Sequence, residues 1–253
     1  MKRLLAAEVL ALGAFAQVAP AATWLDQPTI RVLPRLKGVG RADHVAITFD
    51  DGPDPTSTPC ILDELDRLGW SATFFVLGSM VRRAPGMLTE IVERGHEIGL
   101  HGDTHRSHLL MTPTAVRRDL EAGKATLEDV LGRSPRWFRP PYGELSLGSV
   151  LAARRLGLHP ILWSAWGRDW KRGETAESVT STVLRGLQPG GTVLLHGSDS
   201  QSTPGSWHAT LAALPLLAEH LESVVSVGPL AEHFGPSAAE DGNDAVAGGR
   251  PPR

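Results

Sequence analysis

The sequence predicts an α/β fold of about seven parallel strands joined by helices. Short apolar runs rich in β-branched and aromatic residues alternate with segments whose apolar residues recur at helical spacing. Because a connection between parallel strands needs a dozen or more residues, this alternation favours strand–helix–strand units with right-handed crossovers. The pattern is compatible with either an open doubly wound sheet or a barrel. In either architecture, ligands bind at the carboxyl ends of the strands.

Seven runs are predicted to form the strands, and helix signals separate them. The predicted strands are 44–49, 72–77, 97–101, 136–139, 159–164, 192–196 and 223–227. Thr58-Pro59 is predicted to begin the first helix and Gly69 to end it. Thr112, also followed by proline, is predicted to begin another. Pro215 is expected to break or restart the last helix, because proline cannot donate a helical hydrogen bond.

Length and composition limit the classes of protein that the chain can represent. With 253 residues, 42% hydrophobic and 21% charged, the chain fits one large domain or two small ones. A net charge of −3 gives no reason to expect binding to nucleic acid or to an anionic membrane. The single cysteine, Cys60, excludes an internal disulfide. We expect a monomer without a stable membrane span.

Both ends of the chain differ in composition from the middle. Lys2 and Arg3 precede an Ala/Leu-rich run with small residues after it, so residues 1–22 are predicted to be a secretory signal peptide or a short leader. An extracytoplasmic location would follow, although Glu8 interrupts the apolar run. Residues 235–253 have no apolar periodicity and are predicted to be a disordered tail.

Ionisable residues follow the predicted strands at the points where these end. They are Asp50 and Asp51 after the first strand, His101 and His105 at the third, Arg139 at the fourth, Asp169 after the fifth and His196 at the sixth. Each has an ordinary explanation by itself, such as a turn, a solvated loop or a core histidine. Their occurrence at successive strand ends instead indicates an active site on one rim of the fold.

Three of these residues form a candidate metal site. His101 and His105 are four residues apart and can converge on one ion, and with Asp51 they supply two nitrogens and one oxygen. Three protein ligands leave a position open for water, as in a catalytic zinc site. His108 competes by spacing alone, but its sequence neighbours offer it no orienting partner. Asp50 would take a different task from Asp51, because neighbouring side chains of a strand face opposite sides.

These motifs resemble those of the polysaccharide deacetylase family, carbohydrate esterase family 4, which shares the nodulation-factor deacetylase homology domain. The resemblance covers residues 43–230, and its motifs match Thr48–Pro53, His101 with His105, Arg139–Tyr142, Asp169-Trp170 and Leu194–His196. Two positions depart from the family pattern. Gly102 replaces a hydroxyl residue, with the expected loss of one loop hydrogen bond, and Trp166 replaces the first acid of the fourth motif.

The resemblance implies a distorted (β/α) barrel with fewer than eight strands and a metal-dependent hydrolase. The implied reaction removes N-acetyl groups from amino sugars of a polysaccharide, either peptidoglycan or a chitin-like polymer, with zinc as the expected metal. The implied roles are metal ligands Asp51, His101 and His105, general base Asp50 oriented by Arg139, oxyanion donor Tyr142 through its backbone N–H, and general acid His196 held by Asp169.

Two alternatives stay open beside this interpretation. Relatives on the same fold cleave other non-peptide C–N bonds or O-acetyl esters, and a non-catalytic carbohydrate-binding relative is the second alternative. Retention of Asp50 and His196, which metal binding alone does not need, argues against the second. Indole rings often stack on sugars, so of Trp163, Trp166, Trp170 and Trp207 we expect one or two to line the cleft and at least two to pack the barrel.

Overall fold

Parallel strands organise the structure, a computed structural model that describes residues 31–235. The strands are β1 (His44–Gly52), β2 (Thr73–Leu77), β3 (Glu97–Gly102), β4 (Trp137–Phe138), β5 (His159–Pro160), β6 (Ala165–Trp166), β7 (Thr192–His196) and β8 (Ser226–Gly228). Their order is β5-β4-β3-β2-β1-β7-β6, with β8 beside the first residues of β1, and every pairing is parallel. The predicted leader, 1–22, and all but the first residue of the predicted tail lie outside the described residues.

Helices connect the strands. They are α1 (Ser57–Leu68), α2 (Gly78–Arg83), α3 (Pro85–Glu93), α4 (Pro113–Leu131), α5 (Leu147–Arg155), α6 (Ala176–Gly186), α7 (Trp207–Leu221) and α8 (Leu230–Phe234). The apolar faces of the longer helices are buried against the sheet; all nine residues of β1 are buried as well. No helix within residues 31–235 is long and apolar enough to cross a lipid bilayer.

The sheet curls into an incompletely closed barrel. Strands β5 and β6 lie at opposite ends of the strand order, yet only residues 161–164 separate them in sequence. Because so short a segment spans at most about 18 Å, the two ends of the sheet must approach each other. Residues 36–40 lie at this opening, where Leu162 N–H donates to the Leu36 carbonyl at 2.7 Å and Thr192 Oγ1 donates to the Gly38 carbonyl at 2.7 Å. The predicted distorted (β/α) barrel is confirmed, although the described residues form eight strands rather than the fewer than eight that the resemblance implies.

The predicted fifth strand, 159–164, is wrong as a single element. It is divided into β5 and β6, which pair with different neighbours, β4 and β7. The reason lies in the backbone of Leu162, which does not take part in the sheet. Its N–H binds Leu36, and its carbonyl accepts a hydrogen bond of 2.9 Å from Arg139 Nη2.

Some helix ends are predicted correctly from the sequence and others are not. Gly69 follows α1 with φ +64°, and the Thr112 hydroxyl caps α4 by accepting from Ala115 N at 3.3 Å, both as predicted. The start of α1 is earlier than predicted, because the Asp54 carboxylate accepts from the backbone N–H groups of residues 56 and 57. The predicted break at Pro215 is also wrong, since α7 continues through it with Leu214 and neighbouring apolar residues still buried.

Candidate active site

Asp50 and Asp51 lie directly before Gly52, the last residue of β1, and both line one cavity of about 550 Å³. Neighbouring strand residues normally face opposite sides. Here the alternation is broken, because Asp51 adopts φ +72° and the register of β1 against β2 shifts between Phe49 and Gly52. Both carboxylates are buried at the carboxyl edge of the sheet. Their different neighbours give them different chemistry.

The three predicted metal ligands come together. Asp51 Oδ1 lies 3.3 Å from His101 Nε2 and 3.3 Å from His105 Nε2, and the three ligand atoms all lie within 4.8 Å of one another. Two ligands that each stand about 2.05 Å from a tetrahedral zinc ion are separated by about 3.3 Å. Asp51, His101 and His105 therefore have the spacing that a small divalent ion requires.

Hydrogen bonding is compatible with a cation between these atoms. His101 Nδ1 contacts the Arg139 carbonyl at 2.8 Å, which places the ring proton on Nδ1 and leaves the Nε2 lone pair directed at Asp51. Asp51 Oδ1 is buried without a hydrogen-bond partner of acceptable geometry. An oxygen and a nitrogen lone pair that face each other at this distance need a proton or a cation between them. The donor set suits zinc.

The pKa shifts of Asp51 and His105 agree with a ligand role, whereas His101 carries a proton that a metal ion would replace. Burial lowers the pKa of His101, but the neighbouring carboxylates of Asp50 and Asp51 raise it above its usual value. Burial raises the pKa of Asp51, but interaction with His101 and the charges of the neighbouring histidines bring it to about 2. Burial and the nearby charge of His101 lower the pKa of His105 to about 4. Asp51 is therefore ionised and His105 neutral near neutral pH, the protonation states in which these side chains bind a metal.

Asp119 of α4 holds the loop between the two histidines. Its carboxylate accepts from Asp103 N at 3.0 Å, from Thr104 N at 3.2 Å and from Thr104 Oγ1 at 2.6 Å. Gly102 has φ +113°, a conformation that side chains rarely adopt. The loop that lacks a hydroxyl at Gly102 is therefore held by a carboxylate from a neighbouring helix, which the sequence does not indicate.

His108 is placed away from the ligand cluster, and its orienting partner comes from α5 rather than from its sequence neighbours. Its Nδ1 does have an orienting partner, Ser149 Oγ at 3.0 Å, and its Nε2 lies 4.0 Å from Asp119 Oδ2. Burial lowers the pKa of His108 to about 4. The ring thus packs behind the loop and supports it.

Asp50 is paired with a fully buried arginine. Arg139 Nη1 donates to Asp50 Oδ1 and to Thr48 Oγ1, both at 2.8 Å, and its guanidinium lies 4.1 Å from the centre of the Phe75 ring. Burial lowers the pKa of Arg139, and the charge of Asp50 opposes that shift. The other carboxylate oxygen, Asp50 Oδ2, lies 3.9 Å from His101 Nε2. Arg139 therefore holds Asp50 with one oxygen directed at the candidate metal site.

His196 and Asp169 form the third part of the site. His196 Nδ1 lies 2.8 Å from Asp169 Oδ1, while Asp169 Oδ2 accepts from His196 N at 2.7 Å and from Thr210 Oγ1 at 2.6 Å. Burial lowers the pKa of His196, but the charge and hydrogen bond of Asp169, aided by Asp50 and Asp51, raise it to about 9. His196 is therefore a protonated imidazolium near neutral pH, with Nε2 as the atom free to donate.

The remaining walls of the cavity are aromatic. Tyr142 has φ +59°, and its ring meets His105 edge-on with 4.4 Å between centroids. Trp163, Trp166 and Trp170 follow one another with ring centroids 5.9 and 5.2 Å apart, and Trp170 meets His196 at 5.2 Å. All four side chains line the cavity, so the expectation that only one or two tryptophans would do so is wrong. Trp207 instead stacks on His208 at the start of α7.

Several polar residues of the site were not predicted. Lys37, Glu144, Gln201 and Ser202 line the cavity, Asp119 anchors the ligand loop, and Thr210 supports Asp169. Lys37 precedes the first strand, and Asp119 and Thr210 lie on helices where their spacing resembles that of any polar helical residue. Only Glu144, two residues after Tyr142, was close enough to a recognised motif to be found from sequence.

Proteins that are similar to this chain include carbohydrate deacetylases. A family model described as polysaccharide deacetylase matches residues 37–161. A chitooligosaccharide deacetylase of Bradyrhizobium sp. (strain ANU 289) is 37% identical over 170 residues, which cover 67% of this chain and 77% of that relative. The crystal structure of the Bc1960 peptidoglycan N-acetylglucosamine deacetylase is similar to this chain, with a TM-score of 0.71 and 30% sequence identity. The match covers 78% of this chain and 91% of the Bc1960 chain.

The chain belongs to the polysaccharide deacetylase family. A peptidoglycan-N-acetylglucosamine deacetylase of Bacillus cereus is 34% identical over 174 residues, which are 69% of this chain. The chain spans 63% of that relative's length, and 77% of the Bradyrhizobium relative's. The resemblance that the motifs indicate is thereby confirmed at the level of the family.

Proposed function

We propose that this chain is a metal-dependent hydrolase that removes N-acetyl groups from amino sugars of a polysaccharide. One observation carries the proposal. A buried, unpartnered carboxylate oxygen of Asp51 stands 3.3 Å from two histidine nitrogens, and the same cavity holds Asp50 and a protonated His196. A metal site, a base and an acid around one cavity are the parts that hydrolysis of an unactivated amide requires.

Each residue has a chemical task in this proposal. Asp51, His101 and His105 would hold the cation, for which we propose zinc, and the cation would polarise the acetyl carbonyl and acidify the attacking water. Asp50, held by Arg139, accepts the proton of that water through Oδ2. The backbone N–H of Tyr142 donates to the oxygen that gains charge on the former carbonyl.

Collapse of the addition product breaks the C–N bond. His196 donates its Nε2 proton to the departing nitrogen, while Asp169 holds Nδ1 and favours the charged ring. The products are acetate and a free amino sugar, with the elements of one water molecule divided between them. The relatives named above act on peptidoglycan or chitooligosaccharide by their names, and we propose an N-acetylated glycan of one of these kinds here. An extracytoplasmic location would suit such a substrate.

Acetate release tests the proposal. The zinc-loaded protein is incubated with N-acetylglucosamine oligomers, with solubilised peptidoglycan and with O-acetylated xylan, and acetate is measured for the parent and for Asp50→Asn. We expect release from an N-acetylated glycan that the substitution abolishes. Release from the xylan alone would replace the proposal with an O-acetyl esterase. No release from any of them by metal-loaded protein would favour a non-catalytic carbohydrate-binding relative.

A further inference from the structure

A second concavity adjoins the catalytic cavity. Its volume is about 530 Å³, and Tyr142 and Glu144 belong to the linings of both spaces. Its other lining residues are Arg106, Ser107, Leu109, Leu110 and Met111, and we call it the side concavity. A ligand too long for the catalytic cavity can therefore continue over Tyr142 without leaving a concave surface.

The floor of the side concavity is apolar and accessible. Tyr142 is 55% exposed and Leu110 is 88% exposed, although Met111 beside it is buried. A single exposed apolar side chain is ordinary on a protein surface. Two exposed apolar side chains in one concavity beside a candidate active site can instead contact the apolar part of a bound molecule.

Arg106 supplies a cation at the same place. It is exposed, and its guanidinium makes no hydrogen bond or ion pair with any other part of residues 31–235, whereas Arg82 is held by Asp103 and Arg94 by Asp63. The acidic group of the lining, Glu144, accepts a hydrogen bond from the Ser107 hydroxyl. An unpaired guanidinium beside an apolar floor matches a carboxylate that is carried on a short apolar stem.

We propose that the side concavity is a subsite for the sugar next to the one deacetylated, and that Arg106 selects a neighbour whose substituent carries a carboxylate. The inference rests on the proposed function. A lactyl ether has this chemistry, with a methyl group for Leu110 and Tyr142 and a carboxylate for Arg106. Glu144 borders the catalytic cavity, so repulsion directs that carboxylate to the Arg106 end. The preferred substrate is thus an acidic glycan whose lactyl carboxylate is free rather than amide-linked to a peptide, and a neutral chitin-type oligomer binds more weakly.

The test compares two oligomers of equal length and two arginine variants. One oligomer is a neutral N-acetylglucosamine tetramer, and the other alternates N-acetylglucosamine with its lactyl-ether derivative. Binding of each to Arg106→Gln and Arg133→Gln is measured by calorimetry on the zinc-loaded protein at low and high salt, alongside kcat/KM. Arg133 is also exposed. It follows α4, whereas Arg106 precedes this helix, which has 19 residues and is about 28 Å long. Both variants remove one positive charge.

We expect Arg106→Gln to weaken binding of the acidic oligomer about fivefold at low salt, less at high salt, and to leave the neutral oligomer unchanged. Arg133→Gln should change neither. Equal weakening in both variants would mean a long-range effect of net charge and would overturn the subsite. An unchanged affinity of Arg106→Gln for the acidic oligomer would overturn it as well. Arg106-dependent binding without acetate release would support the subsite and contradict the proposed function.

Discussion

The catalytic cavity has two walls that are built in different ways. On one wall, formed at the ends of β1, β3 and β4, directional hydrogen bonds hold Asp50 on Arg139 and His101 on the Arg139 carbonyl. On the other wall, three tryptophans between β5 and α6 pack against one another through their rings, without a shared hydrogen-bond network. The first wall fixes the direction of its hydrogen-bonded groups, and the second supplies shape and apolar surface. Substitutions should therefore cost most on the polar wall.

The largest effect is expected at the metal ligands. Asp51→Ala, His101→Ala and His105→Ala each leave two ligands of three, so zinc affinity should fall by more than about a hundredfold and activity should be lost with it. Elemental analysis and competition with a chelator measure the occupancy of each purified variant. Full occupancy in all three variants would overturn the assignment of the site.

Asp50→Asn should separate chemistry from metal binding. The amide can keep a contact with Arg139 but cannot accept a proton, so kcat should fall about a hundredfold or more with zinc still bound. The measurements are kcat on an N-acetylated oligomer and zinc content on the same preparation. If zinc were lost along with activity, the two neighbouring aspartates would have exchanged roles.

The two walls also differ in how far the sequence predicts them. Asp51, His101 and His105 are predicted as a group because a ligand set leaves a spacing signal and strand ends meet at one edge of a parallel sheet. Asp119 leaves no such signal. It lies on a helix, fourteen residues after His105, and in the sequence it cannot be told from any other polar helical residue. The tryptophans could be counted from sequence, but their order around the cavity depends on β5 and β6 separating at Leu162.

Asp169→Asn tests the group that stands between the walls. Burial alone lowers the pKa of His196, and the charge of Asp169 is the leading cause that raises it, to about 9. Removing that charge should lower the pKa. Because a general acid must be protonated, activity is lost as pH rises through this pKa, so the alkaline limb of kcat/KM should move to lower pH. A limb that does not move would exclude the pairing of His196 with Asp169.

Asp119→Asn tests whether the polar wall depends on support from outside the cavity. Asparagine would present an amide N–H₂ to the backbone donors of Asp103 and Thr104, so the loop loses bonds while its size is kept. We expect zinc affinity to fall about tenfold. Asp129→Asn, on the exposed side of the same helix, is the matched control. A change in melting temperature without a change in zinc affinity would limit Asp119 to a role in stability.

Trp166→Asp should have the smallest effect, although it restores the acid of the family motif. Trp166 lies between Trp163 and Trp170, and the Arg168 guanidinium lies 4.5 Å from its ring centre. The new carboxylate would meet Arg168 at the rim, while His196 Nδ1 already binds Asp169, which Thr210 also holds. The alkaline limb should therefore stay in place, and the lost ring should raise KM only a few-fold. Trp166→Phe, which keeps an aromatic ring, should retain most of the parent KM. A shift of the limb in Trp166→Asp as large as that in Asp169→Asn would show that the aromatic wall also controls the acid, and the division between the two walls would be wrong.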